Sequence, residues 1–268
     1  MMTVLVMAPD ADPWTPVLEG AALRVGAGVR VVDGLEGLPF EVRVDRRGRP
    51  RCTVRARAGE EPGGIVFRGG TVLAQDEGFG GSERLAACWA LLASFDGPVV
   101  NRPTRHGPLL TVDRLRTRRA AGVGTGAWTL REPWTAAPAA TVTVVRGAAD
   151  RRPVARPGRA GCFPALPQAL EVVECGSPTV LRLLVAGERV LVPAGDRTRD
   201  LPAPAADRLR EVLRPDLPAL VWLVAGFDPG GGCRVLDVDP LPGTDLLGPV
   251  VQDAADAVIG CALRGEPS

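Results

Sequence analysis

Thr3-Val4-Leu5-Val6-Met7 is a short apolar run that stops at Ala8-Pro9-Asp10, and this run with the two segments after it decides the fold class. Five apolar residues closed by a proline turn have the length of a buried strand rather than a helix. Asp12-Pro13 comes next, an N-cap pattern with proline at the first helical position. It predicts a helix from Trp14 to Val25 that stops at Gly26-Ala27-Gly28. Arg30 to Asp33 reads as the next strand. Strand, helix and strand in that order begin a parallel sheet, because a crossover helix returns the chain to the same edge.

Outward from this opening, Glu41–Val44 and Cys52–Arg57 flank Asp45-Arg46-Arg47-Gly48 and read as an antiparallel hairpin. Ile65–Arg68 is a further strand. Ser82 is placed to cap a helix running to Phe95, with Leu85, Trp89 and Leu92 on one face. Gly97-Pro98 resets the chain before a strand at Val99–Asn101. A second unit begins there. A helix is expected over Thr111–Ala121, and strands over Gly126–Arg131, Thr141–Arg146, Ala169–Glu174, Thr179–Val185 and Arg189–Val192. A tight turn at Ala186-Gly187-Glu188 joins the last two. Gly147–Pro167, rich in Arg, Pro and Gly, reads as loop. A helix at Ala203–Leu213, a hairpin of Ala219–Asp228 with Cys233–Val238, and a helix over Leu246–Leu263 complete the chain. The fold class is α/β (α+β): a small β-α-β domain over residues 1–98, then a two-lobed, mainly antiparallel core with flanking helices over residues 99–268.

All 32 basic side chains are arginine, since the sequence contains no lysine, and against 31 acids they leave a formal net charge of +1. That near balance argues against a clustered basic face for nucleic acid. The densest run, Arg114, Arg116, Arg118 and Arg119, reads as a solvated helix face. No apolar run approaches the ~18 residues of a membrane span, and Met1–Asp10 lacks the basic start of a signal peptide. Cys52, Cys88, Cys162, Cys175, Cys233 and Cys261 form no C-x-x-C pair, and His106 is the one histidine, so there is no His cluster to complete a zinc set. Free thiols point to a reducing cytoplasm.

Four stretches resemble the ATP-grasp superfamily of carboxylate–amine ligases, closest to its peptide- and natural-product-modifying branch. Val99-Val100-Asn101-Arg102-Pro103 looks like the segment leading into the grasp core. Thr141–Arg146 resembles the strand that bears the nucleotide-contacting lysine. Glu171–Glu174, then Val180–Val192, look like the hinge strand and the arginine-bearing strand. Arg234–Pro240 (RVLDVDP) resembles the Glu-x-Asn-Pro metal strand. The resemblance implies ATP and magnesium, but the residues depart from it. Arg146 stands for lysine, and Arg114 stands near the other expected lysine. Asp237 and Asp239 replace the Glu and Asn. Trp222 falls about where the partner strand carries the first metal-binding aspartate. Magnesium needs placed oxygens, and arginine is not a neutral swap for lysine, so neither cofactor nor metal is expected.

Several residues are candidates for chemistry. Asp237 and Asp239, two apart on a strand, point to one face and can act as acid and base, or be a residual metal strand held by arginines. His106, in the loop between the two domains, suits proton transfer at neutral pH, or is a surface histidine. Glu174, Arg146 and Arg182 are expected to line the same cleft, where the arginines hold a carboxylate, enolate or phosphate, or form a structural ion-pair lattice. Arg102 is expected to contact substrate. Trp222 makes the cleft apolar and suits a bulky hydrophobic small molecule. Cys162 and Cys175 have no histidine near them in sequence and do not read as nucleophiles. Three functions are expected as alternatives: a cofactor-independent biosynthetic enzyme catalysing elimination, conjugate addition or cyclisation; an ATP-dependent carboxylate–amine ligase; or a non-catalytic partner of a biosynthetic enzyme. Oligomeric state is not legible at this level.

Overall fold

The computed structural model describes residues 2–35, 38–55, 60–69, 79–103, 127–130, 142–147, 154–157, 170–175, 179–193, 203–214, 217–227, 233–239, 243–244, 247–248 and 250–264. Its first sheet is parallel, in the order β2-β1-β5-β6, from β1 (Thr3–Met7), β2 (Gly28–Val32), β5 (Gly64–Phe67) and β6 (Val99–Val100). α1 (Thr15–Arg24) makes the crossover from β1 to β2. The expected β-α-β opening is therefore present. β6 lies beyond the expected boundary at residue 98, yet it is the fourth strand of this sheet. β3 (Phe40–Val44) and β4 (Pro50–Val54) form the expected hairpin. Its turn is built on Asp45, whose carboxylate accepts from the Arg47 and Arg49 amides, and on Gly48, which supplies a φ of 74°.

Alternation along β1 divides the interior into two layers. Val4 and Val6 face Trp14, Leu18, Ala21 and Ala22 of α1 and the C-terminal helix α4 (Val250–Leu263). Leu5 and Met7 face Cys88, Leu91, Leu92 and Phe95 at α2 (Phe79–Ser94) and its end, with Cys52 and Val54 of β4. α2 differs from its expected form. It begins three residues before Ser82, which therefore lies inside the helix rather than at its cap, and Trp89 is only half-buried. The 3.6-residue stripe runs through Cys88, Leu91 and Phe95 instead, because those positions sit over β1 and β5.

The second sheet is antiparallel, β7-β10-β8-β9, from β7 (Ala127–Leu130), β8 (Val142–Gly147), β9 (Val154–Pro157) and β10 (Leu170–Cys175). β9 corrects the reading of residues 147–167 as loop. Val154–Pro157 pairs with β8, and its terminal proline is tolerated because this strand is the sheet's edge. The third sheet is antiparallel, β12-β11-β13-β14, from β11 (Thr179–Gly187), β12 (Arg189–Leu191), β13 (Ala219–Phe227) and β14 (Cys233–Asp239). β11 turns into β12 at Gly187-Glu188, where a φ of 61° at the first turn residue is the requirement of a type II′ hairpin. α3 (Ala203–Leu213) covers one face of the third sheet, through Leu209 and Leu213 against Leu181, Leu183, Val221 and Leu223. The expected helix at Thr111–Ala121 lies outside the described residues.

α4 joins the first and third sheets into one core. Its Ala254, Ala255, Val258 and Ala262 share a single buried cluster with Val4 and Val6 on one side and with Leu184, Ala186, Leu220 and Trp222 on the other. Two glycines make this approach possible. A Cβ on Gly64 would lie 2.0 Å from the Ala262 carbonyl oxygen, and one on Gly187 would lie 2.8 Å from that of Ala257. Backbone thus meets backbone on both flanks of an alanine-rich helix. No helix of the described residues is long and apolar enough to cross a membrane.

Candidate functional site

The register of the third sheet brings four of the candidate residues onto one face. Arg182 of β11 pairs with Val224 of β13, which pairs with Asp237 of β14. One row along, Leu184 pairs with Trp222, and Trp222 with Asp239. Directly opposed residues share a face, so positions 182, 222, 237 and 239 all lie on the side away from α3. This face changes character along its length. Ala186 and Leu220 lie under α4, Leu184 and Trp222 come next at the margin of the same core, and the charged row of Arg182 and Asp237 lies beyond them. Arg182 is half-buried. Positions 182 and 237 are two strands apart, about 10 Å.

Trp222 is 7 % exposed and belongs to the core cluster with Leu184, Ala186 and Leu220. The whole of β13, Ala-Leu-Val-Trp-Leu-Val-Ala-Gly-Phe, carries no side-chain oxygen. Magnesium is usually held by one or two carboxylates together with substrate phosphates and waters. Within β13 and β14 the carboxylates are Asp237 and Asp239 of β14, and Asp228, directly after β13, lies outside the described residues.

The second sheet separates two residues expected together. Glu171 pairs with Arg146, whereas Glu174 pairs with Thr143. Positions 171 and 174 differ by an odd number, so Glu174 and Arg146 fall on opposite faces. The glutamate sharing the Arg146 row is Glu171. The sequence Glu-Val-Val-Glu already puts its two glutamates on opposite faces. Which one shares a row with Arg146 needs the antiparallel register, and that depends on residues far apart in the chain.

Arg102 takes a different place from the one expected. Its guanidinium donates to the carbonyls of Leu92 (3.1 Å), Ala93 (3.3 Å), Phe95 (2.9 Å) and Gly97. It therefore satisfies the C-terminal carbonyls of α2, where a cation also complements the helix dipole. Burial makes its charged form more costly and lowers its pKa, partly opposed by Asp96. His106 lies outside the described residues.

The neighbouring Asn101 carries no functional signal in the sequence, yet it ties the first sheet to the third. It is buried, with a φ of 63°. Its amide donates to the Phe67 carbonyl (3.0 Å) and, more weakly, to that of Leu220 (3.4 Å), and its side-chain oxygen accepts from the Leu220 amide (2.8 Å). Its own backbone N–H donates to the Pro218 carbonyl (3.0 Å). Asparagine is among the few non-glycine residues that tolerate this backbone region. Asn101→Ala is expected to lose about 2–4 kcal/mol of stability, combining lost buried amide bonds with left-handed strain. Asn101→Gly should recover only the strain. Urea unfolding of the three proteins checks this ranking.

No protein-family profile matches the chain, and no curated protein does. Solved structures do. The ATP-grasp ligase PsnB, complexed with a phosphomimetic variant of its minimal precursor, Mg and ADP, superposes with a TM-score of 0.61 at 14 % identity, covering 97 % of each chain. A RiPP-associated ATP-grasp ligase of Chryseobacterium gregarium, in complex with ADP and a leader and core peptide, gives 0.55 at 11 % identity over 100 % of both chains. The macrocyclase MdnC of Microcystis aeruginosa, bound with precursor peptide MdnA, gives 0.55 at 13 % identity over 97 % of this chain and 100 % of that one. With its parallel leading sheet and two antiparallel sheets after it in that order, this chain has the ATP-grasp fold.

Proposed function

We propose that this chain is a biosynthetic enzyme of natural-product or peptide tailoring, built on an ATP-grasp scaffold and working by acid–base chemistry without magnesium-ATP. The observation that supports it best is the shared face of the third sheet. There β13 offers an indole and aliphatic groups from Ala219 to Phe227, while Arg182 and the two aspartates of β14 stay on the same side. In this reading Trp222 forms the apolar floor under a bulky substrate, and Arg182 holds an anionic group such as a carboxylate or a developing enolate. Asp237 and Asp239, two positions apart, supply a base and an acid for elimination, conjugate addition or cyclisation. The peptides bound to the similar structures support a peptide-like substrate. Placement in a reducing cytoplasm belongs to the same proposal and accords with the buried free thiols Cys52, Cys88 and Cys261.

A second reading is an ATP-dependent carboxylate–amine ligase. It is favoured by the ADP and Mg bound to similar structures. Two measurements separate the readings. Titration of the full chain with Mg-ATP in a calorimeter should give no binding in the micromolar range. With a candidate precursor, mass spectrometry should show conversion without ADP release, and Asp239→Asn should slow turnover about 10²–10⁴-fold. Micromolar Mg-ATP binding with stoichiometric ADP release would establish the ligase reading and overturn the first.

A further inference from the structure

The hairpin that packs under α2 carries an unusual outer edge. β3 is the outer strand of a two-stranded sheet, and among the described residues no strand pairs with its far side. Edges of this kind are ordinarily protected by charge, proline or a bulge. Here Phe40, Val42 and Val44 are 42 %, 47 % and 68 % exposed. They share a face with Val54, Cys52 and Pro50 opposite them, and Cys52 and Val54 are buried in the core under α2. The apolar face therefore continues outward past its own cover.

Hydrogen bonding shows which backbone groups this edge presents. Asp45 N–H donates to the Arg49 carbonyl (2.9 Å), and Arg55 N–H donates to that of Pro39 (3.0 Å). Positions 39, 41, 43 and 45 thus bond inward to β4, and the N–H and C=O groups of Phe40, Val42 and Val44 point away from it. Pro50, which has no N–H, sits opposite Val44, where the ladder needs no bond to β3. On the remaining face Glu41 and Arg43 are paired to each other at 2.7 Å, and that ion pair lowers the Glu41 pKa.

Phe-Glu-Val-Arg-Val is complementary to itself when run antiparallel about Val42. Phe40 then meets Val44 of the second copy, Val42 meets Val42, and each Glu41 meets an Arg43. The residues at 40, 42 and 44 become the hydrogen-bonded pairs. The charged residues become the non-hydrogen-bonded pairs, where side chains stand closest. Centring the pairing on 41 or 43 would set like charges on the axis. The geometry points to a second copy of this chain docking on β3, in a two-fold symmetric pairing that makes a four-stranded sheet β4-β3-β3-β4. Self-complementarity of one patch is what a two-fold interface demands. A five-residue pairing is small against the ~1,200 Å² of a standard interface, so the dimer is a transient one with a dissociation constant in the micromolar range.

The test is the mass of the full chain by sedimentation velocity from about 5 to about 200 μM, a span that brackets such a constant. Glu41→Arg or Arg43→Glu alone sets like charges opposite each other twice, once on each side of the axis. Each reversal should raise the dissociation constant at least tenfold. The double reversal should restore the dimer. So should an equimolar mixture of the two single variants, since the two arginines of one copy would then face the two glutamates of the other. Val42→Lys, which places two ammonium groups on the axis, is a further dissociating variant, and far-ultraviolet circular dichroism confirms that each variant is folded. A monomer throughout the concentration range overturns the proposal. So does a dimer indifferent to both single reversals, or a mixture of the two variants that stays monomeric.

Discussion

Replacing Trp222 with alanine will cost about 3–5 kcal/mol of stability, the range for deleting a large aromatic from a packed core. Its side chain closes the buried cluster between the third sheet and α4, against Leu184, Ala186 and Leu220. Trp222→Asp will cost more, because it also places a carboxylate among aliphatic groups. The pair of variants has a functional meaning. If position 222 were a metal site that had merely lost its ligand, aspartate there would be accommodated, and magnesium would raise the melting temperature of the variant. If tryptophan is part of the core, as its burial shows, Trp222→Asp will fold poorly and magnesium will not rescue it. Thermal melts with and without magnesium measure this, and a magnesium-dependent rise would revive the ligase reading.

Asp12→Ala will lose about 3–5 kcal/mol, because it leaves a buried guanidinium without its carboxylate. The Asp12 carboxylate accepts from both Nε (3.0 Å) and Nη2 (2.9 Å) of Arg68. Both side chains are 4 % exposed. The Arg68 guanidinium also lies 5.8 Å from the centroid of the Trp14 ring. This pair sits outside the carboxyl ends of β1 and β5, where the strand order reverses, the place at which open parallel sheets hold ligands. Asp12→Ala combined with Arg68→Met should recover most of the loss, since both charges are then gone from the interior. Raising salt to about 0.5 M should leave the Asp12 effect largely unchanged. It should erase any contribution of the exposed Arg24–Asp256 pair (2.6 Å), a surface contact worth little in any case. Urea midpoints of the two variants and the wild type decide the matter. Equal losses for the single and double variants would mean that packing, and not charge pairing, holds this position.

The same aspartate shows how far the sequence can be read. Asp12-Pro13 signals a helix close by, but the cap is Trp14, the helix begins at Thr15 and the proline in its first turn is Pro16, so the local signal is right in kind and displaced by two to three residues. It does not reveal that the Asp12 side chain bonds Arg68, since Arg68 is brought there only by the pairing of β5 with β1. Arg102 is similar. Its place beside the entry to the grasp core suggests substrate, but the fold sets its guanidinium against the end of α2. Val154–Pro157 is hidden for another reason. A short proline-ended edge strand carries little alternation, and only its pairing with β8 defines it.

What the sequence determined by itself is the order of elements, the parallel opening, the hairpins and the absence of lysine. Each is a property of neighbouring residues or of composition. Tertiary structure alone decided the partners. It put Arg182, Trp222, Asp237 and Asp239 on one face, set Glu171 and not Glu174 in the Arg146 row, made Trp222 a core residue, and drew two sheets onto α4 through Gly64 and Gly187. The physical reason is that a strand's own sequence shows which residues share its faces, while register between strands is a contest of whole-sheet packing. That contest is settled by residues far away along the chain.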